Sequence, residues 1–103
     1  MILIPTYNTV VLPGSKIYFR KEYLQEAGVE KISVGEKVTF LYLKEPKDKD
    51  ITMEDIYPIA VAGQVLSIDD EGGVNLEAFN RINIEYMDFE NQNVVGVQRP
   101  EID

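Results

Sequence analysis

The sequence contains neither cysteine nor histidine. Without thiols there is no disulfide and no thiolate nucleophile, and without imidazole the commonest general base is absent; the two gaps together remove the usual zinc ligands. An enzyme built from what remains would have to rely on carboxylates, and no pair of them is placed by the sequence to do so. Positive charge is scarce as well: ten Lys and Arg face eighteen Asp and Glu, a formal charge of −8. A phosphate backbone is repelled by that balance unless the cations cluster sharply, and the densest group, Lys16, Arg20 and Lys21, fits a solvated face at least as well. Nucleic acid is therefore not an expected partner. No run of eighteen apolar residues occurs, so no membrane contact is expected, and Met1–Pro5 lacks the basic region and apolar core of a secretory signal. A cytoplasmic location is the expectation.

What is present suits one folded domain with a single core. The 103 residues are 45% hydrophobic and 27% charged, within the range of soluble globular proteins and too few to divide between two cores.

Ile2-Leu3-Ile4 ends at Pro5 and reads as a short strand near a sheet edge, where a missing N–H is tolerated. Val10-Val11-Leu12 runs into Pro13-Gly14, a turn signal, and Ile17-Tyr18-Phe19 forms the next short strand. A helix is predicted from Lys21 to Ala27, with Tyr23, Leu24 and Ala27 on one face and Gly28 as its stop. Val29 to Gly35 reads as a connection with room for one helical turn. Val38–Leu43 is β-branched, aliphatic or aromatic at both parities, which predicts a central strand covered on both faces. Glu45–Asp50 alternates in charge and reads as a mobile surface loop, Thr52 caps a brief turn through Asp55, and Tyr57 to Ile68 is a strand interrupted at Gly63.

The clearest periodicity follows Asp69–Gly73, a cluster of turn formers that implies a hairpin. Even positions Val74, Leu76, Ala78, Ile82, Ile84 and Tyr86 are apolar, and polar residues alternate with them, which predicts one buried face. Phe79 and Asn80 break the alternation, so a bend or bulge there would let a long strand serve two sheets or close a barrel. Val94, Val95 and Val97 add a last strand. The fold class is mainly β (α+β): a pseudo-barrel or sandwich of short strands with one or two short helices.

Ile4-Pro5-Thr6-Tyr7-Asn8-Thr9-Val10-Val11-Leu12-Pro13-Gly14 resembles the opening signature of the Lon protease amino-terminal domain. The later pieces are similar in order and spacing: the strand Val38–Leu43, the charged loop, Tyr57–Val65, and Gly72–Ile82 with its Arg81-Ile82 ending. The likeness covers residues 2 to 87. It departs at Arg20-Lys21-Glu22-Tyr23, where the family has Val-Gly-Arg, and at Ala78-Phe79-Asn80, where the family often has Glu-Gly. The resemblance implies a PUA-like pseudo-barrel of mostly antiparallel strands over residues 1–90, with 91–103 as a final strand or the start of a connection to a C-terminal part. It further implies a non-catalytic domain that binds unfolded or misfolded protein substrates. ATP and Mg would be cofactors of the full-length, hexameric protease and not of this domain. The alternatives are a free-standing Lon-like adaptor or ligand-binding protein, and an RNA-binding PUA-like module.

The chemistry of a protease or an ATPase does not appear. Leu12–Lys16 and Val34–Lys37 place glycine near lysine without the spacing of a phosphate loop, and turn chemistry accounts for both. Ser15 and Lys16, adjacent in an extended chain, point to opposite faces and cannot share a proton. Asp69-Asp70-Glu71 lacks the ligand spacing of a calcium loop and reads as a solvated hairpin tip. Binding by surface remains. Tyr18, Phe19, Tyr23 and Leu24 surround a sharp turn and a short helix, more large apolar groups than so thin an element buries, and they are the candidate substrate-binding residues; the alternative is that all four are core. No catalytic, metal-binding or cofactor-binding residue is assigned.

Overall fold

The structure, a computed structural model, describes residues 1–29 and 31–98. Its elements in chain order are β1 (Ile2–Thr6), β2 (Lys16–Phe19), α1 (Lys21–Glu26), β3 (Lys37–Leu43), a 3-10 turn (Met53–Asp55), β4 (Ile56–Ile68), β5 (Val74–Asp88) and β6 (Asn93–Gln98). The reading of 91–103 is described as far as β6, and residues 99–103 lie outside the described residues.

One mixed sheet holds all six strands, in the order β1-β3-β4-β5-β2, with β6 also on β5. Every pair is antiparallel except β1 with β3. Pro5 is tolerated because β1 is an edge strand that pairs with β3 alone. β6 returns toward that edge, where the Leu3 N–H donates to Gln92 Oε1 at 2.8 Å. The result is a curled half-barrel, a mainly β pseudo-barrel.

Local signals account for most boundaries. Gly14 (φ 85°) completes the Pro13-Gly14 turn, and the Ser15 N–H donates to Leu12 O at 3.1 Å. Helix α1 ends where Gly28 takes φ 84°; the Gly28 N–H donates to Gln25 O and the Val29 N–H to Leu24 O, so two of the last carbonyls are satisfied while Val29 and Leu24 join one core. At the turn after the charged loop, Asp55 provides much of the cap expected of Thr52: its carboxylate accepts from both Thr52 N–H (2.8 Å) and Thr52 Oγ1 (3.1 Å). No helical turn forms in the described part of 29–35.

Four expectations are corrected. Strand β3 is interior and covered on both faces, but the middle of the sheet is β4, the 13-residue strand that pairs along most of its length with the 15-residue β5. Gly63 does not interrupt β4. The strand runs through it, because a Cβ there would meet Glu77 O at 2.5 Å and Phe40 Cε2 at 2.9 Å, and only glycine allows that approach. Tyr86 is exposed and Met87 buried, since a register shift between Ile84 and Tyr86 turns the strand end over. Finally, among the described residues the core is two clusters instead of one. Ile4, Phe40, Val61 and Leu76 anchor the first; Leu3, Leu41, Ile56 and Ala60 anchor the second. Alternate residues of β1 and β3 divide between them, which places the clusters on opposite faces of the sheet.

The bulge anticipated near Phe79 and Asn80 is what makes this possible. Ala78 pairs with Gly63 and Asn80 with Ala62, so Phe79 has no partner on β4. Before it, Val74, Leu76 and Ala78 lie in the first cluster; beyond it, Ile84 lies in the second and Ile82 packs against it. One extra residue inverts the parity of the residues that follow, as far as the next register shift between Ile84 and Tyr86.

Candidate functional site

Strand β2 and helix α1 are joined at Arg20, and the four residues singled out in the sequence are placed very differently. Phe19 and Leu24 are buried in the first cluster. Tyr23 is half-buried: its ring stacks on Phe19 at 4.7 Å between centroids, its hydroxyl donates to Pro5 O at 3.3 Å, and burial raises its pKa. Tyr18 is 48% exposed. Its hydroxyl donates to Asp69 Oδ2 at 2.7 Å, and a Cβ on Gly73 would collide with that hydroxyl, so Tyr18 lies across the glycine and ties β2 to the β4–β5 turn. That hydrogen bond is the main cause of a raised Tyr18 pKa and of a lowered Asp69 pKa. Of the four, Tyr18 and Tyr23 offer surface, in an open groove of about 750 Å³ rimmed by Arg20, Lys21, Glu22 and Glu26.

The Asp69 carboxylate is occupied by its own turn: Oδ1 accepts from Glu71 N–H at 2.9 Å and Gly73 N–H at 2.8 Å. Ser15, weighed against Lys16, donates its hydroxyl to Leu12 O within the Pro13-Gly14 turn.

A second groove, of about 690 Å³, lies where the chain between β1 and β2 crosses the ends of β3 and β4. Its origin is a local mismatch. Between the pairs Leu41 with Ala60 and Leu43 with Ile56, β4 contributes Tyr57-Pro58-Ile59 against the single residue Tyr42, and Pro58 brings no N–H to the ladder. Tyr57 is left 51% exposed, facing Tyr7 (44%) and Val10 (78%) across the groove. The crossing segment is held from below: Val11 is buried, its N–H donates to Tyr42 Oη at 3.2 Å, and Tyr42 Oη donates to Val11 O at 2.9 Å. Lys44 Nζ lies 5.9 Å from the centroid of the Tyr57 ring.

Sequence reasoning missed this groove. The available signal was Val10-Val11-Leu12 itself, because three consecutive residues of an extended segment cannot all point inward. Here Val11 does, while Val10 and Leu12 face out.

Among the described residues no group of three or more Asp or Glu is arranged to hold a metal ion. No helix in the described residues is long and apolar enough to cross a membrane.

No family model matches the chain, and no curated protein matches it. Among solved structures, the N-terminal domain of Mycobacterium avium complex Lon protease matches over 99% of this chain with a TM-score of 0.55 and 14% sequence identity. The chain spans about half of that structure, 55% of its length. At this identity the match concerns the fold: the chain shares the architecture of a Lon protease N-terminal domain.

Proposed function

We propose that this chain is a non-catalytic substrate-recognition domain of a Lon-type ATP-dependent serine protease, capturing unfolded or damaged protein for motor and peptidase domains outside it. The observation that carries the reading is the shared architecture over nearly the whole chain. Two open, tyrosine-lined grooves support it, since tyrosine gives a large, rigid, amphipathic contact that tolerates many peptide sequences. Each contact would be weak, and a cytoplasmic hexameric ring would multiply it through effective concentration. In that reading ATP and Mg belong to the motor, and residues 1–90 form the recognition domain, with 91–103 leading toward the rest of the protease.

The test is retention of one labelled protein in its unfolded and native forms by the purified chain. Binding of the unfolded form alone, with no ATP hydrolysis and no peptide cleavage, is expected. Equal binding of both forms, or tight salt-sensitive retention of RNA in place of protein, would overturn the proposal.

A further inference from the structure

We infer that the groove between Val10 and Tyr57 is a subsite for an extended polypeptide in which a large apolar side chain and an acidic one stand two residues apart, on the same face of the chain. The inference rests on the recognition role proposed above and specifies what that role selects.

Four observations carry it. The groove is apolar and aromatic where it is open, through Tyr7, Val10 and Tyr57, and its volume of about 690 Å³ suits a side chain with its flanking backbone. Its walls are set before any ligand arrives: Tyr42 Oη holds both backbone groups of Val11, and Thr6 Oγ1 donates to Leu41 O at 2.8 Å, so little ordering is required on binding. The groove also continues. Tyr7 and Leu43 line the next concavity, where Tyr23 and Glu26 lead on to the groove beside β2, and a chain in extended conformation has a track to follow.

The fourth observation is charge. In a chain of formal charge −8, Lys44 is the one charged residue among the described residues lining this groove. It lies over the Tyr57 ring, and among the described residues its ammonium makes no ion pair with a carboxylate. The groove beside β2, by contrast, sets Glu22, Glu26 and Glu71 against Arg20 and Lys21. A peptide carboxylate therefore finds its complement at Lys44, next to the apolar wall that takes the side chain two residues away.

Two labelled peptides, identical except for a central Phe-Ser-Glu or Phe-Ser-Lys, test this by fluorescence anisotropy with the 103-residue chain. The Phe-Ser-Glu peptide is expected to bind about fivefold tighter at low salt, the scale of one exposed ion pair. Lys44→Glu should reverse the order, Tyr57→Ala should weaken both peptides about tenfold, and Tyr18→Ala should leave the order intact. Lys44 and Tyr57 are exposed, so their variants are expected to stay folded, which circular dichroism would check. If unfolded protein still binds but Lys44→Glu does not change the order, the subsite is overturned while the recognition role stands. If neither peptide nor unfolded protein binds, both fall, and preferential binding of a labelled RNA oligonucleotide would overturn both as well.

Discussion

The two halves of β5 carry the same sequence pattern and do opposite things. Val74, Leu76 and Ala78 enter the cluster that α1 helps to cover, whereas Ile82 and Ile84 face the cluster that Ile51 and the 3-10 turn help to cover. Both sets are even-numbered and alternate with polar residues. The difference between them is Phe79, which no residue of β4 opposes. Alternation reports which residues share a face only while the register holds; a bulge changes the face of the positions beyond it, and its one trace in the pattern is the break at Phe79 and Asn80. One long strand can thereby close two cores that neither half could reach on its own.

The comparison breaks most completely if Phe79 is deleted. Everything beyond it would turn over, bringing Ile84 and Met87 out of the second cluster at about 1.5–3 kcal/mol for each buried side chain, against a total stability of about 5–15 kcal/mol for a domain. Loss of a cooperative urea transition is expected. Phe79→Ala, which keeps the extra residue and trims a side chain that is 44% exposed, should change stability by less than about 1 kcal/mol in the same assay.

Single truncations on each side of the bulge sharpen it. Leu76→Ala and Ile84→Ala should each cost about 2–5 kcal/mol, with Leu76 the larger because it is fully buried. A negligible effect at either position would mean that its half of β5 does not close a core. Gly63→Ala is the next step down: its Cβ would press on Glu77 O and Phe40, and a loss of about 1–3 kcal/mol is expected by urea unfolding.

The smallest effects lie at the hairpin that leads into the first half of β5. The Tyr18 hydrogen bond, with those from the Gly73 and Glu71 N–H groups, lowers the Asp69 pKa from 3.8. The unfolded chain therefore binds the proton more readily, and this contribution to stability is complete above pH 3.8 and lost as pH falls through the folded value. Tyr18, raised from 10.0 chiefly by the same bond, contributes fully below pH 10.0 and loses that contribution as pH rises through its folded value. Urea midpoints across pH should show the Asp69→Asn deficit narrowing in acid and the Tyr18→Phe deficit narrowing in alkali. Deficits constant with pH would mean that the bond does not hold the turn.

Much of this architecture was legible because its signals are local. Pro13-Gly14, Gly28 and Asp69–Gly73 act through dihedral preferences of one or two residues, so the turn, the helix end and the hairpin follow from residue identity. The candidate site was less legible. Tyr18, Phe19, Tyr23 and Leu24 are neighbours in sequence, yet two are core, one is half-buried and one is exposed, because β5, Phe40 and Pro5 decide what is covered. The groove at Val10 and Tyr57 joins residues 47 positions apart by number, and nothing local to either announces the other.

By itself, the sequence determined where the chain bends, which segments are strands, and that chemistry dependent on thiol or imidazole is absent. Only the tertiary structure decided which face each strand presents, that the core divides in two, and which tyrosines stay open to a partner. The physical reason is range: turns and alternation depend on bonds within a few residues, whereas register and burial depend on what the opposite strand brings to the same place.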